Sequence, residues 1–225
     1  MTQASGQSAA FFDLDRTLIK GSANFPLAVA AFKAGYVPPK QLVKDAISAA
    51  IFVTRGATDE RSDALRQRIL DAVAGQRVAD VVALGDGFIP KLATTVLPEA
   101  RLELDRMAAQ GIDRYIVSAS PIELVQRLAD QIGLEGAVAT RSEIEGGRYT
   151  GRLDGPFCYG EGKVFAIERL AQARGYDLAQ CSAYSDSISD IPFLTAVGTP
   201  VAVNPDKELR AVARERGWRI IEVTR

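Results

Sequence analysis

The chain has 225 residues, 47% of them hydrophobic, which is enough to bury a self-sufficient core without a metal or disulfide staple. Its 27 Lys and Arg nearly balance 28 Asp and Glu, so no overall field favours nucleic acid or an anionic membrane surface. Histidine is absent, which removes the commonest general base and metal ligand and leaves acid–base work to carboxylates, lysine, tyrosine or cysteine.

Taken in chain order, residues 2–10 lack the basic region of a signal peptide, and the apolar run that follows is cut at Asp13 and Asp15. A strand is expected over 9–14. The interval 19–94 shows helical periodicity in four pieces, 25–34, 39–53, 60–74 and 78–92, and no strand signal. It reads as a helical bundle inserted into a sheet domain, giving a core of 1–19 and 95–225 and a cap of 20–94. Its apolar stretches fall short of the roughly 20 residues a membrane-spanning helix needs. Beyond the insert, a helix over 98–110 closed by Gly111 leads to a strand over 114–118. Ser120 is the expected N-cap of the next helix, with Pro121 at its first position and Glu123 three residues after the cap. Ile122, Val125, Leu128, Ala129 and Ile132 form its apolar face and Gly133 its stop.

A strand over 137–140 precedes a hairpin over 141–153, turning at Gly146 and Gly147. Helices over 162–174 and 206–216, closed by Gly175 and Gly217, alternate with strands over 181–185, 200–204 and 219–223. Such alternation predicts an α/β fold with a doubly wound, mostly parallel sheet. Cys158 and Cys181 have neither C-x-x-C nor metal-finger spacing, so a reducing, cytoplasmic compartment is expected.

Asp13 and Asp15 sit where the first strand ends. Residues two apart in an extended chain point to one side, so both carboxylates face the carboxyl edge of the sheet, where open α/β sheets bind ligands. Alone, a D-x-D reads equally as a solvated turn or as the metal-nucleotide element of a glycosyltransferase. Ser118 follows a second strand, Lys163 opens a helix, and Asp186 and Asp190 follow a third strand. A hydroxyl, an ammonium and these carboxylates at one sheet edge make a metal and phosphate site.

The strings Phe12-Asp13-Leu14-Asp15-Arg16-Thr17-Leu18, Val117-Ser118-Ala119-Ser120, Lys163 and Ser185-Asp186-Ser187-Ile188-Ser189-Asp190 resemble, in order and spacing, the four signatures of the haloacid dehalogenase superfamily. The insert and Gly147-Arg148-Tyr149-Thr150-Gly151 are similar to its phosphoserine-phosphatase-like branch, with a Rossmann-like core and a helical cap. The resemblance implies a magnesium-dependent phosphomonoesterase. Asp13 would be the nucleophile that forms an aspartyl-phosphate and Asp15 the general acid/base. Mg2+ would be held by Asp13, the carbonyl of Asp15 and Asp186, with Asp190 in support. Thr17, Ser118 and the amide of Ala119 would contact the phosphoryl group, and Lys163 would neutralise charge. The substrate class is a small phosphorylated metabolite, with no nucleic acid, membrane or protein partner indicated. Arg55 and Arg61, in the insert, are candidates for clamping a second anionic group of the substrate. The chain departs from many members by Ser185, where they carry glycine. It departs from authentic phosphoserine phosphatases by having no acid in Lys20-Gly21-Ser22-Ala23-Asn24.

Other phosphatase chemistries fail on sequence. The positions six after Cys158 and Cys181 are Val164 and Ser187, so there is no C-x5-R, and Gly162-Lys163 has Phe157 and Val164 where a P-loop needs glycine and Ser/Thr. A dehalogenase would not require the acid at Asp15. A phosphotransferase or mutase of the same fold, and a catalytically silent phosphoryl-binding module, remain as alternatives.

Overall fold

The computed structural model describes residues 7–36, 66, 67, 70, 71 and 73–223. Their contacts divide the chain into two compact units, one of 1–23, 90–140 and 156–225, the other of 24–89 and 141–155.

The first unit is an α/β layer structure around a six-stranded sheet. Its strands are β1 (Ala9–Asp13), β2 (Asp113–Pro121), β3 (Gly136–Thr140), β6 (Ser182–Ser185), β7 (Thr199–Val203) and β8 (Arg219–Ile221), in the order β3-β2-β1-β6-β7-β8. Every neighbouring pair is parallel. All of β1 and β6 is buried, which is why neither alternates apolar with polar residues. The chain builds outward from β1 through β2 to β3, then returns beside β1 to lay down β6, β7 and β8. The reversal puts a topological switch point at β1, and ligands bind at the carboxyl edge there. The register Asp13↔Val117 and Phe12↔Tyr184 brings Asp13, Ser118 and Ser185 to that edge.

Helices α4 (Pro98–Ala109), α5 (Ile122–Ile132), α6 (Glu161–Arg174), α7 (Ile191–Thr195) and α8 (Lys207–Glu215) belong to the same unit. Gly133 ends α5 in the left-handed conformation, φ 76, as its position after the periodic run predicts. The start of α5 differs from expectation. Strand β2 runs on to Pro121, which takes the cap position without a side-chain bond, and the Ser120 N–H donates to Ser118 Oγ at 3.1 Å. That local turn competes with the capping geometry and wins.

In the second unit, α1 (Asn24–Lys33) and the hairpin β4 (Ser142–Glu145) with β5 (Arg148–Leu153) match their predicted positions. Gly146 and Gly147 have φ 55 and 77, the two positive values a two-residue type I′ turn demands. The hairpin groups with the insert, not with the sheet. The run expected as one helix over 78–92 is broken into α2 (Val78–Leu84), a 3-10 turn at Gly85–Gly87, and α3 (Ile89–Ala93). Gly85 and Gly87 weaken a continuous helix, and Pro90, which has no N–H to give to a preceding turn, is tolerated only where a new helix starts. The helix expected over 39–53 lies outside the described residues; the described part of 60–74 includes helical Arg66, Gln67, Leu70 and Asp71.

The sheet is tied to its flanking layer by one buried acid. Glu103 on α4 accepts from Arg219 Nη2 at 2.6 Å, Arg106 Nη2 at 2.7 Å and Tyr184 Oη at 3.1 Å, and the Tyr184 ring stacks on Phe12 with centroids 4.1 Å apart. Burial pushes the Glu103 carboxyl up, but the Arg219 and Arg106 guanidiniums outweigh it and hold it below its usual range. Glu103→Gln is expected to destabilise by about 1–3 kcal/mol in urea unfolding near neutral pH, because it removes charge-assisted bonds at a buried acceptor. A depressed folded pKa contributes stability above the unfolded pKa and loses it on acidification. The gap between wild type and variant should therefore close as pH falls below about 4.5.

Candidate active site

The site is assembled from four strand ends and helix starts of the first unit. Asp13 ends β1, and Asp15 follows in the loop, where its Oδ1 accepts the Ala23 N–H at 2.8 Å and its Oδ2 the Ser22 hydroxyl at 2.7 Å. These bonds tie the carboxylate back to the chain segment that leaves the site. Burial raises the Asp15 carboxyl above its usual range, although the bonds from Ala23 and Ser22 oppose the shift.

Lys163 is 3% exposed and enters on the first turn of α6. It can do so because Gly162 has no side chain: a Cβ there would lie 1.7 Å from the Phe157 carbonyl oxygen. Lys163 Nζ lies 2.6 Å from Asp13 Oδ1 and 2.7 Å from Asp190 Oδ2, a buried bridge across three elements. Burial alone would lower the ammonium's pKa, but Asp13 and Asp190 outweigh it and keep Lys163 charged. For Asp13, burial dominates and raises the carboxyl to about 6, with Lys163 opposing.

Asp186 lies just past β6 and is 5% exposed. Burial, then repulsion from Asp13, raises its carboxyl to about 8. Thr17 Oγ1 lies 3.5 Å from its Oδ1, and Arg16 Nε lies 2.9 Å from its Oδ2. Asp190 is 2% exposed; its Oδ2 also accepts the Ser185 hydroxyl at 2.6 Å, while its Oδ1 is buried with no hydrogen-bond partner. Ser118, 4% exposed, closes the edge from β2, and Ala119 follows it, half-buried.

Asp13, Asp15, Thr17, Ser118, Ala119, Lys163, Asp186 and Asp190 thus lie at one sheet edge. Arg55 and Arg61 lie outside the described residues. Sequence reasoning missed three features. Arg16 pairs with Asp186, Ser22 and Ala23 hold Asp15, and Ser185, noted only as a departure from glycine, hydrogen-bonds Asp190. The D-x-D motif signalled the neighbourhood but not these contacts, which depend on where the loop folds back.

Cys158 is also buried here, its Sγ 3.8 Å from the Val138 carbonyl oxygen, and burial pushes its thiol up to about 12. It is a neutral packing group, not a nucleophile. Among the described residues, no three His, Cys, Asp or Glu side chains are close enough to hold a metal by themselves. A cation at Asp13 and Asp186 would therefore complete its shell with main-chain or water oxygens. That all-oxygen set, with the orphaned Asp190 Oδ1 nearby, fits a small hard ion. No described helix is long and apolar enough to cross a membrane.

The sequence model of the haloacid dehalogenase-like hydrolases matches residues 10–195. A probable phosphatase of Mycobacterium tuberculosis (strain ATCC 25618 / H37Rv) is 39% identical over 100% of this chain and 78% of its own length. A phosphoserine phosphatase of the same organism, SerB1, is 37% identical over 95% of this chain and 70% of its own. Among solved structures, a protein of unknown function from Bordetella pertussis Tohama I superposes with a TM-score of 0.82 at 26% identity, over 96% of this chain and 98% of that one. A family match across most of the chain, relatives this similar over nearly all of it, and the gathered edge of Asp13, Lys163 and Asp186 place the protein in the haloacid dehalogenase-like hydrolase family, as one of its phosphatases.

Proposed function

We propose that this phosphatase hydrolyses a small phosphorylated metabolite through an aspartyl-phosphate on Asp13, with Mg2+ as cofactor. The observation that carries the reading is the buried Lys163 bridge to Asp13 and Asp190, with the Asp15 carboxyl two residues from the nucleophile and Asp186 alongside. Lys163 holds Asp13 in place and offsets its charge as an anionic phosphate approaches. A carboxylate oxygen of Asp13 attacks phosphorus and the bond to the leaving oxygen breaks. Asp15, whose carboxyl burial favours in its protonated form, gives its proton to that oxygen. In the second step Asp15 takes a proton from water, the water oxygen attacks phosphorus, and the bond to Asp13 breaks. Ser118 and the Ala119 amide are assigned to the phosphoryl oxygens. The carboxylates of Asp13 and Asp186 and the carbonyl of Asp15 would hold Mg2+, which when bound neutralises phosphate charge.

The phosphoserine phosphatase among the relatives supports a phosphoserine-like substrate, while the lack of an acid near Ser22 widens the field to other small phosphate esters. The two free, buried cysteines agree with a reducing cytoplasm. The unit of 24–89 and 141–155 is assigned as the cap that selects the substrate. Turnover of p-nitrophenyl phosphate is expected to vanish in chelator, return with Mg2+ and fall in excess Ca2+, which prefers more ligands and longer bonds. Full activity in chelator would overturn the metal assignment. A screen of phosphorylated metabolites with purified protein and Mg2+ identifies the substrate, and failure to release phosphate from any of them would overturn the reading.

A further inference from the structure

Arg16 is the charged group of the site that the mechanism leaves unused. It lies between Asp15 and Thr17, and its backbone is left-handed at φ 63, an uncommon conformation for a side chain of this size. The backbone turn is held by its N–H, which donates to the Gly21 carbonyl at 2.9 Å. From there Arg16 Nε reaches Asp186 Oδ2 at 2.9 Å, and Thr17 stands on the other oxygen at 3.5 Å. The two partners differ sharply in exposure: the Arg16 side chain is 47% exposed and that of Asp186 only 7%.

Asp186 is buried close to Asp13, so its ionised form is disfavoured unless a counter-charge lies beside it. Among the described residues, Lys163, the other cation at this edge, is already shared between Asp13 and Asp190. We propose that Arg16 is a positioning residue that holds Asp186 in the place of the divalent cation and withdraws toward solvent when the cation binds. The proposal rests on the metal reading given above. A guanidinium and a dication cannot both lie against Asp186 Oδ2 without strong repulsion. The exposed Arg16 can move away at small cost, which the enclosed Lys163 cannot. Arg16 thereby keeps Asp186 oriented before metal arrives and sets the metal affinity by competing for the same oxygen.

The test is titration of the full chain with Mn2+, with free Mn2+ read by its paramagnetic resonance, for wild type, Arg16→Gln and Arg16→Lys. Melting with and without Mg2+ is measured in parallel. Loss of one competing charge at this distance is expected to tighten Mn2+ binding roughly tenfold in Arg16→Gln. Arg16→Lys, which keeps the charge but loses the planar fork, should gain by less. The rise in Tm on adding Mg2+ should be larger in Arg16→Gln than in wild type. Equal or weaker Mn2+ binding in Arg16→Gln would overturn the proposal and leave the metal reading standing. No Mn2+ binding by any of the three would overturn both. If Arg16→Gln does not fold, Arg16→Lys decides: tighter binding supports the competition, and binding equal to wild type overturns it.

Discussion

Asp13→Asn is expected to abolish turnover on every phosphate ester, whereas Asp15→Asn is expected to stall after the first chemical step. The two residues are separated by one position but differ in what holds them. Asp13 is pinned by Lys163 at 2.6 Å inside the site, as its proposed role of nucleophile requires. Asp15 is tethered by Ala23 and Ser22, and its carboxyl is raised by burial, as suits a proton carrier. Its amide replacement keeps the backbone carbonyl and loses proton transfer, a loss of roughly 10²–10⁴-fold for a leaving group that needs protonating. A p-nitrophenolate leaves unaided, so phosphoryl transfer to Asp13 should survive better on that ester than on an alkyl phosphate. Hydrolysis of the proposed aspartyl-phosphate still needs a base, so Asp15→Asn should give a burst of about one product per active site. A quenched single-turnover assay with an aryl and an alkyl phosphate checks both variants. A burst from Asp13→Asn, or equal losses of the first step on both esters in Asp15→Asn, would show these roles to be wrongly assigned.

The second large effect is expected at Lys163, where function and stability meet. Lys163→Met keeps the aliphatic stem but leaves the carboxylates of Asp13 and Asp190 buried without their shared partner. Breaking a buried ion pair by removing one member costs about 3–5 kcal/mol, far more than a surface pair, because the remaining charge stays desolvated. The variant should therefore unfold at markedly lower urea and show a loss of kcat on the order of 10²–10³-fold, the scale of one preorganised electrostatic group. Adding Asp190→Asn to Lys163→Met removes one of the two stranded charges. The double variant should recover part of the stability and none of the activity, a coupling that urea midpoints measured around the full mutant cycle report directly. If Lys163→Met is as stable as wild type, the bridge contributes no net stability. If the double variant regains activity, Lys163 acts only by compensating Asp190.

The sequence by itself determined the alternation of strands and helices, the parallel α/β class, the hairpin at Gly146 and Gly147, and the gathering of Asp13, Ser118, Lys163 and Asp186 at one edge. These were legible because burial period, helix stops and turn glycines act over a few residues, and because a parallel sheet brings the ends of successive strands to the same side. Where local signals competed, the outcome was not legible. Ser120 carries a good capping residue, yet the strand runs past it to Pro121, since the Ser118 hydroxyl takes its N–H instead. The periodicity over 78–92 hid a break that Gly85, Gly87 and Pro90 make energetically easy. The partners within the site were decided by tertiary structure alone. Arg16 meets Asp186 across 170 positions, and Lys163 meets Asp13 across 150. No local pattern encodes such pairings, because each is set by which strand the chain returns to lie beside and by the low dielectric there, in which a buried charge must find its opposite.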